Sequence, residues 1–202
     1  MPPPDSPFRL IALVVLLGTL GTSAHFRYRA RMTGGHIPRR AEGIRFAALR
    51  ALVALPLFLG PLLYVANPNW MRWSSLELPA WLRWSGVVLG LLTIPGAQWV
   101  FRSIGRNVSE TVLTKERHEL VTAGPYRWIR HPLYAVGILL FASIGLIAAN
   151  WFILGLAALA ALFIRFLVIP IEEHELSQKF GDHYGQYIAR TGRLFPRVTR
   201  IP

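Results

Sequence analysis

The chain contains no cysteine, which excludes disulfides, thiolate metal sites and cysteine nucleophiles and leaves the redox compartment unmarked. Acidic residues are scarce: 10 Asp and Glu stand against 22 Lys and Arg, a net charge of +12. No strand–turn–helix glycine fingerprint marks a soluble dinucleotide site. Ser109 has neither a neighbouring histidine nor a Gly-x-Ser-x-Gly frame, which disfavours a serine nucleophile. Internal repeats, low-complexity tracts and heptads are also lacking. What the chain has in quantity is apolar surface, with 53% hydrophobic residues in a length of 202 and a mean hydropathy of +0.39. A soluble domain of this size is rarely so apolar, and a small bundle of membrane-spanning helices fits better.

Five stretches approach the roughly 20 apolar residues that a hydrocarbon core of about 30 Å requires. They run from Phe8 to Ala24, Phe46 to Ala66, Leu78 to Phe101, Leu133 to Ala149 and Trp151 to Ile171. The third carries Arg83 near its start and Pro95-Gly96 inside it, which predicts a tilted or kinked helix. Trp70, Trp73, Trp81 and Trp84 cluster at its entry as an interfacial belt. The fold class expected is therefore an all-α integral membrane protein of about five transmembrane helices, with an interfacial helix near the C-terminus. Residues 1–101 form an N-terminal unit of three spans with a basic loop, and residues 102–202 form the functional core.

Charge sets the orientation. Lys and Arg concentrate between spans one and two, between three and four, and after span five, whereas the other loops offer little beyond Arg9 and Arg72. The positive-inside rule then puts the N-terminus outside and the three basic segments on the cytoplasmic face. Because the basic residues alternate with spans, a nucleic-acid stripe is not expected. Thr22-Ser23-Ala24 vaguely resembles a signal-peptide cleavage site, but the segment after it opens with Arg27, Arg29 and Arg31, which argues against export.

Spans four and five meet at Asn150 with almost no linker, so they form a tight hairpin. That hairpin brings two polar segments to one depth: Gly124 to Tyr134, GPYRWIRHPLY, and the stretch that begins Ile171-Glu172-Glu173. Pro132 suits the first turn of a helix, which leaves His131 at the helix entrance, where the positive dipole end favours a carboxylate or phosphate. Taken alone, Arg130 and His131 favour contact with lipid head groups, and paired acids at a helix start fit simple complementation of its dipole equally well. Leu176, Phe180, Tyr184 and Tyr187 or Ile188 recur at helical spacing, predicting an amphipathic helix on the membrane, broken at Gly181. His118, Glu119, His174 and His183 lie near these segments but lack the spacing of a helical zinc site, so no metal is expected.

Together the segments RHELVTAGPYRWIRHPLY and EEHELSQKFGDHYGQYIARTGRLFP resemble the isoprenylcysteine carboxyl methyltransferase family, whose wider group includes membrane phospholipid N-methyltransferases. The resemblance covers roughly residues 105–196, and the closing Thr191 to Pro196 looks most like the prokaryotic branch. It implies an integral-membrane enzyme of a prokaryotic plasma membrane that uses S-adenosylmethionine in a cytoplasmic pocket. Carried over by position, it implies cofactor contacts at His118, Glu119, Leu120, Val121, Tyr126, His131, Pro132, Leu133, Tyr134, Glu172 and Glu173. One position departs from the pattern: family members that methylate a prenylcysteine carboxylate carry arginine four residues before the first glutamate, and here Val168 stands there. Arg165 is close to one turn away and is a candidate substitute, although snorkelling or pairing with Glu172 accounts for it too.

Methyl transfer from a sulfonium mainly requires holding acceptor and methyl group together in a site depleted of water. A carboxylate acceptor needs no general base, whereas an amine or thiol does, and His131, Tyr134 and Glu173 are the candidates. The acceptor is lipophilic or membrane-partitioned. Carboxyl O-methylation leads, with phospholipid N-methylation and thiol S-methylation behind it. Outside enzymes, a small carrier or lipid-binding scaffold is the rival, yet a carrier should place polar groups at mid-membrane, and this chain gathers them at one face.

Overall fold

The computed structural model describes residues 6–34, 43–105 and 120–197. Seven helices follow in order among them: α1 Ser6–Gly34, α2 Ile44–Ala66, α3 Ala80–Ile104, α4 Pro132–Ile147, α5 Trp151–Phe163, α6 Ile169–Phe180 and α7 Asp182–Arg190. Four stretches, Pro7–Met32, Ile44–Ala66, Ala80–Ile104 and Trp151–Phe180, are long and apolar enough to cross a membrane, and α4 is a shorter apolar helix. Its 16 residues rise about 24 Å. The molecule is thus an all-helical integral membrane protein with four full-length candidate spans and one short one, rather than five of equal standing.

Two span boundaries shift. The first helix runs to Gly34 instead of stopping near Ala24, because Ala, Arg and Met residues continue it and no breaker occurs before Gly34. Arg27, Arg29 and Arg31 therefore stand on a helix rather than in a loop. The last span does not end at Ile171 but continues to Phe180 through a π turn at Ile164–Val168. Pro170 explains that turn. Lacking an N–H and carrying a ring that crowds the carbonyl four residues back, it cannot continue a regular ladder, and a wider turn just before it relieves the clash. Pro95, by contrast, sits within an unbroken α3.

The core lies where α1, α3, α4 and α5 meet, with Val15, Leu16, Ile144, Ile147 and Ile153 fully buried. Leu52, Leu55, Leu62, Leu159 and Leu162 point outward, as lipid-facing residues do. Helices α3 and α4 approach closely because Gly86 and Gly90 leave room: a Cβ on Gly86 would stand 2.7 Å from the Leu146 Cβ. Thr19 and Thr93 hydroxyls join α1 to α3 at 2.7 Å within this packing.

At one end, two arginines close helix termini. Arg9 donates to the carbonyls of Val65 and Ala66 at the end of α2, and Arg83 Nε donates to the Ile147 carbonyl at the end of α4 at 3.0 Å. Both cations sit on the negative ends of helix dipoles, which explains basic residues on the side that orientation would leave bare. Asn150 ties the α4–α5 turn together by accepting from the Ile153 N–H at 3.0 Å and donating to Ser74 Oγ at 2.7 Å. Trp70, Trp73, Trp81, Trp84 and Trp151 are exposed around this end, and Trp73 and Trp151 meet edge to face, as in an interfacial belt.

Candidate active site

At the opposite end, the chain enters α4 through a turn that only glycine accommodates. Gly124 has φ +60°, and a Cβ there would fall 2.2 Å from Ser103 Oγ on α3. A 3-10 turn over Gly124–Arg127 follows and buries Tyr126. His131 caps α4 with Pro132 in its first turn, as the sequence predicts. The C-terminal segment then straps this entrance. Gly192 donates its N–H to the Trp128 carbonyl at 3.0 Å, while Arg130 and His131 donate theirs to the Gly192 and Arg193 carbonyls at 2.8 and 3.0 Å.

Behind the strap sits an ion cluster. Glu173 accepts from Arg130 Nε at 2.8 Å through Oε1 and from Arg193 at 2.9 Å through Oε2, with His131 Nε2 at 3.4 Å from Oε1. Arg130 also donates to the Thr191 and Ile188 carbonyls. Nε of that guanidinium is directed at Glu173 and Nη1 at the end of α7 and the strap, so the two charges compensate each other inside the protein. The head-group reading of Arg130 is thereby displaced by an internal pair between side chains that are 7% and 9% exposed.

Glu172, one residue earlier, faces the other way. Its Oε2 lies 3.6 Å from His131 Nδ1, beyond hydrogen-bond range. This oxygen is buried without a hydrogen-bond partner, as is the Tyr184 hydroxyl. Both residues line a cavity of about 870 Å³, near the upper end of the about 300–1,000 Å³ typical of small-molecule sites. Leu120, Val121, Tyr126, His131, Leu133, Tyr134 and Tyr187 line it too, so most of the expected cofactor residues meet in one place. The Tyr134 ring stacks on His131 at 5.8 Å, and its hydroxyl faces Glu172.

Three expected residues stand apart from the lining. Pro132 is buried in the first turn of α4, Glu173 is held in the ion cluster, and Arg165 sits in the π turn with its guanidinium 5.4 Å from the Phe166 ring. His118 and Glu119 lie outside the described residues. Exposed His174 pairs with Gln178 at 2.9 Å, and no cluster of three or more metal-ligating side chains occurs among the described residues.

Two members of the C-terminal aromatic stripe face the protein interior. Gly181, at φ +51°, separates α6 from α7, and Tyr184 and Tyr187 are buried against the site. The Tyr187 hydroxyl donates to the Tyr126 carbonyl at 2.7 Å. Burial, followed by the charge of Glu172, pushes the Tyr126 hydroxyl far above its ordinary range. Burial also raises Tyr184, with Glu173 adding to it, and pushes Tyr187 up to about 12. These phenols remain neutral donors throughout the physiological range.

The unexpected lining residues come from the N-terminal half. Arg27, Tyr28 and Arg31 of the extended α1 and Arg50 of α2 all border the cavity. Their sequence signal was the four-residue spacing of Arg27 and Arg31, which continues the face of span one. Deeper, Leu57, Phe58, Phe141, Ala157 and Ala160 make the lining apolar, with Phe58 and Phe141 edge to face at 5.0 Å.

A polar mouth thus opens on a cavity with an apolar interior between candidate membrane helices, and comparison with known proteins supplies the class of protein. The model of a family described as phospholipid methyltransferase matches residues 81–183; the chain belongs to that family of membrane methyltransferases. It is 29% identical over 128 residues, 63% of this chain and 56% of the relative, to a nickel-cobalt-cadmium resistance protein of Alcaligenes xylosoxydans xylosoxydans. It is 38% identical over 86 residues, 42% of this chain and 43% of the relative, to protein-S-isoprenylcysteine O-methyltransferase B of Arabidopsis thaliana. It is also 35% identical over 71 residues, 35% of this chain and 24% of the relative, to methanethiol S-methyltransferase 1 of Bradyrhizobium diazoefficiens. The chain spans about half the length of the first curated relatives it matches, 56% of the nickel-cobalt-cadmium resistance protein and 55% of a cobalt-zinc-cadmium resistance protein of Cupriavidus metallidurans. Among solved structures, the eukaryotic intramembrane Ras methyltransferase, an isoprenylcysteine carboxyl methyltransferase, superposes with a TM-score of 0.57 at 20% identity, covering 93% of this chain and 68% of that one. The shared fold is that of an isoprenylcysteine carboxyl methyltransferase.

Proposed function

We propose that this chain is an S-adenosylmethionine-dependent methyltransferase that esterifies the carboxylate of an isoprenylcysteine-like or other lipophilic acceptor. The observation that carries the reading is Glu172: a carboxylate oxygen buried without a hydrogen-bond partner at the mouth of a large cavity whose deeper lining is apolar. An orphaned acceptor of this kind is costly unless a ligand satisfies it, and the donor-rich, cationic cofactor fits. S-adenosylmethionine, when bound, supplies an activated methyl group on a sulfonium centre.

The protein's own contributions follow from the geometry. Glu172 accepts an ammonium or hydroxyl donor and complements positive charge. Tyr126, Tyr134 and Tyr184 offer aromatic faces for stacking and cation–π contact, and Leu120, Val121 and Leu133 exclude water around them. His131 holds the entrance of α4, and Glu173 fixes His131, Arg130 and the C-terminal strap as one unit instead of meeting the ligand. His118 and Glu119 are assigned to the same cofactor site on the resemblance alone. A carboxylate acceptor requires no proton transfer, which agrees with a site whose tyrosines remain neutral and whose His131 is packed between two glutamates. The names of the relatives support the reaction class, two of them being methyltransferases. The strap and the ion cluster share one end of the bundle with the C-terminal part of α1, which carries Arg27, Arg29 and Arg31; the charge pattern of the sequence supports assigning that end to the cytoplasmic face of a prokaryotic plasma membrane, with the N-terminus outside.

Calorimetry on detergent-purified protein tests the reading directly. S-adenosylmethionine should bind, and Glu172→Gln should weaken binding at least tenfold while the fold survives. A flat titration with the wild type would refute the proposal. Membranes incubated with methyl-labelled cofactor should yield base-labile label, because methyl esters alone release methanol in base.

A further inference from the structure

Outside the cavity, an open groove of about 520 Å³ follows the seam between α1 and α3, lined by Gly21, Thr22, His25 and Arg29 of α1 and by Gln98 and Arg102 of α3. Phe26, which also borders the groove, stacks on Phe101 at 5.5 Å, and Phe101 borders the cavity. That aromatic pair is the partition between the two spaces. The groove opens outward, because Gly21, His25, Arg29 and Arg102 are all exposed. Thr19 bonds Thr93 and Phe26 meets Phe101, so α1 and α3 run side by side in the same direction. His25 and Arg29, one turn apart, therefore stand beside Gln98 and Arg102, also one turn apart. Arg29 has a partner of its own. His25, Gln98 and Arg102 make no hydrogen bond or ion pair among the described residues, and His25 has only an edge contact with the Phe26 ring.

We propose that this groove binds an anionic phospholipid of the leaflet at the active-site end, its phosphate held by Arg102 and His25 and an ester oxygen by Gln98. Depth supports a lipid. About 32 Å of helix separates Trp81 of the aromatic belt from Arg102, so with Trp81 at one interface Arg102 reaches the head groups of the other. Gln98 lies one turn nearer the bilayer centre, where the ester oxygens of a phospholipid follow its phosphate. A polar amide turned toward hydrocarbon is costly unless something satisfies it. Shape supports it as well: beyond the groove, Leu17 of α1 and Val88 and Leu92 of α3 are exposed and offer an apolar track for acyl chains. A Cβ on Gly21 would meet nothing within 4 Å, which leaves a notch where such a chain begins. Charge selects the head group. The guanidinium of Arg102 matches a phosphate, and the described lining residues include no acid to receive the ammonium of a zwitterionic lipid. The lipid would clamp α1 to α3 beside the Phe26–Phe101 partition, bracing one wall of the cavity whatever that cavity methylates.

The test uses full-length protein in dodecyl maltoside micelles with equimolar dioleoyl-phosphatidylglycerol and dioleoyl-phosphatidylcholine, the retained lipid being counted by native mass spectrometry. For the first lipid bound, the wild type should favour phosphatidylglycerol at least tenfold, and it should melt several degrees higher with that lipid. Arg102→Gln should cut the preference at least fivefold, whereas Arg102→Lys should keep most of it. Gln98→Leu should weaken retention of phosphatidylglycerol with the lipid-free melting temperature unchanged. Arg190→Gln, which removes the same charge from an exposed position on α7, should leave the preference intact. Equal retention of both lipids by the wild type would overturn the site. Equal losses in Arg102→Gln and Arg190→Gln would do so too, by making net charge the cause. Displacement of the lipid by millimolar inorganic phosphate would equally overturn it, since the groove would then serve the free ion.

Discussion

Exchanging Glu173 for glutamine removes one negative charge and almost no volume, and the structure sets the size of the effect. Two guanidiniums meet this carboxylate, at 2.8 Å from Arg130 and 2.9 Å from Arg193. The Arg130 pair is nearly solvent-free, whereas the Arg193 side chain is 36% exposed. Removing one partner of a buried pair costs about 3–5 kcal/mol, and a half-exposed pair adds at most about 1 kcal/mol. Arg130 keeps its bonds to the Thr191 and Ile188 carbonyls, so the low end, about 3 kcal/mol, is expected. For a chain of this size that lowers the melting temperature by about 6–12 °C, read by thermal unfolding in detergent without cofactor. Glu172→Gln, a chemically identical change one residue away, should shift the unliganded midpoint by less than about 2 °C, because its Oε2 has no hydrogen-bond partner to lose. Replacing both Arg130 by Met and Glu173 by Leu should cost less than either single change, since the buried guanidinium leaves with its carboxylate and only Arg193, which is 36% exposed, loses a partner. Equal melting temperatures for Glu173→Gln and the wild type would refute the assignment of Glu173 as the clamp of the strap.

Three further outcomes are expected. Gly137→Leu, filling open space on the cavity wall, should leave the midpoint unchanged or slightly raised while weakening dodecanoate at least tenfold and octanoate little, by calorimetry. Stability should fall in alkali: Tyr187 holds its proton to about 12 in the folded state, whereas the unfolded chain loses it near 10. The folded chain then binds more protons, and its stability drops by about 1.4 kcal/mol per pH unit between those values. Tyr187→Phe should flatten that share of the slope in melting curves taken from pH 9 to 11. Thr19→Val should cost only about 0.6 kcal/mol, because Thr93 still donates to the Gly90 carbonyl at 2.6 Å; a loss above about 2 kcal/mol would show that this bond organises the bundle.

Charges beside hydrocarbon were the most legible part of the site. Arg130 and His131 before Pro132, and the glutamate pair across one hairpin, are expensive in that setting and meet in space because the α4–α5 turn is so short. Arg27, Arg31 and Arg50 carried no such distinction. A basic residue at a span's end serves orientation and cavity lining with the same signature, and which face of α1 turns inward depends on packing against α3. Adjacent glutamates likewise look alike in sequence, yet a helix turns about 100° per residue, and that rotation sends Glu173 to the cluster and Glu172 to the cavity. The stripe of Tyr184 and Tyr187 showed its helical period plainly. Its burial against Tyr126 depends on the strap from Thr191 to Arg193, which hydropathy does not encode.

The π turn at Ile164–Val168 makes the site sensitive to length as well as to residue type. Upstream, α5 is fixed angularly by its packing on α2 and α4; downstream, the two carboxylates must face opposite partners. Loss of a single residue between Phe163 and Ile169 would restore a regular ladder and rotate everything after it by about 100°, carrying Glu172 away from the cavity without altering any side chain that touches it. The phase of one helix thus acts as a hidden coordinate of the pocket, and length variation in this segment should be far less tolerated than substitution.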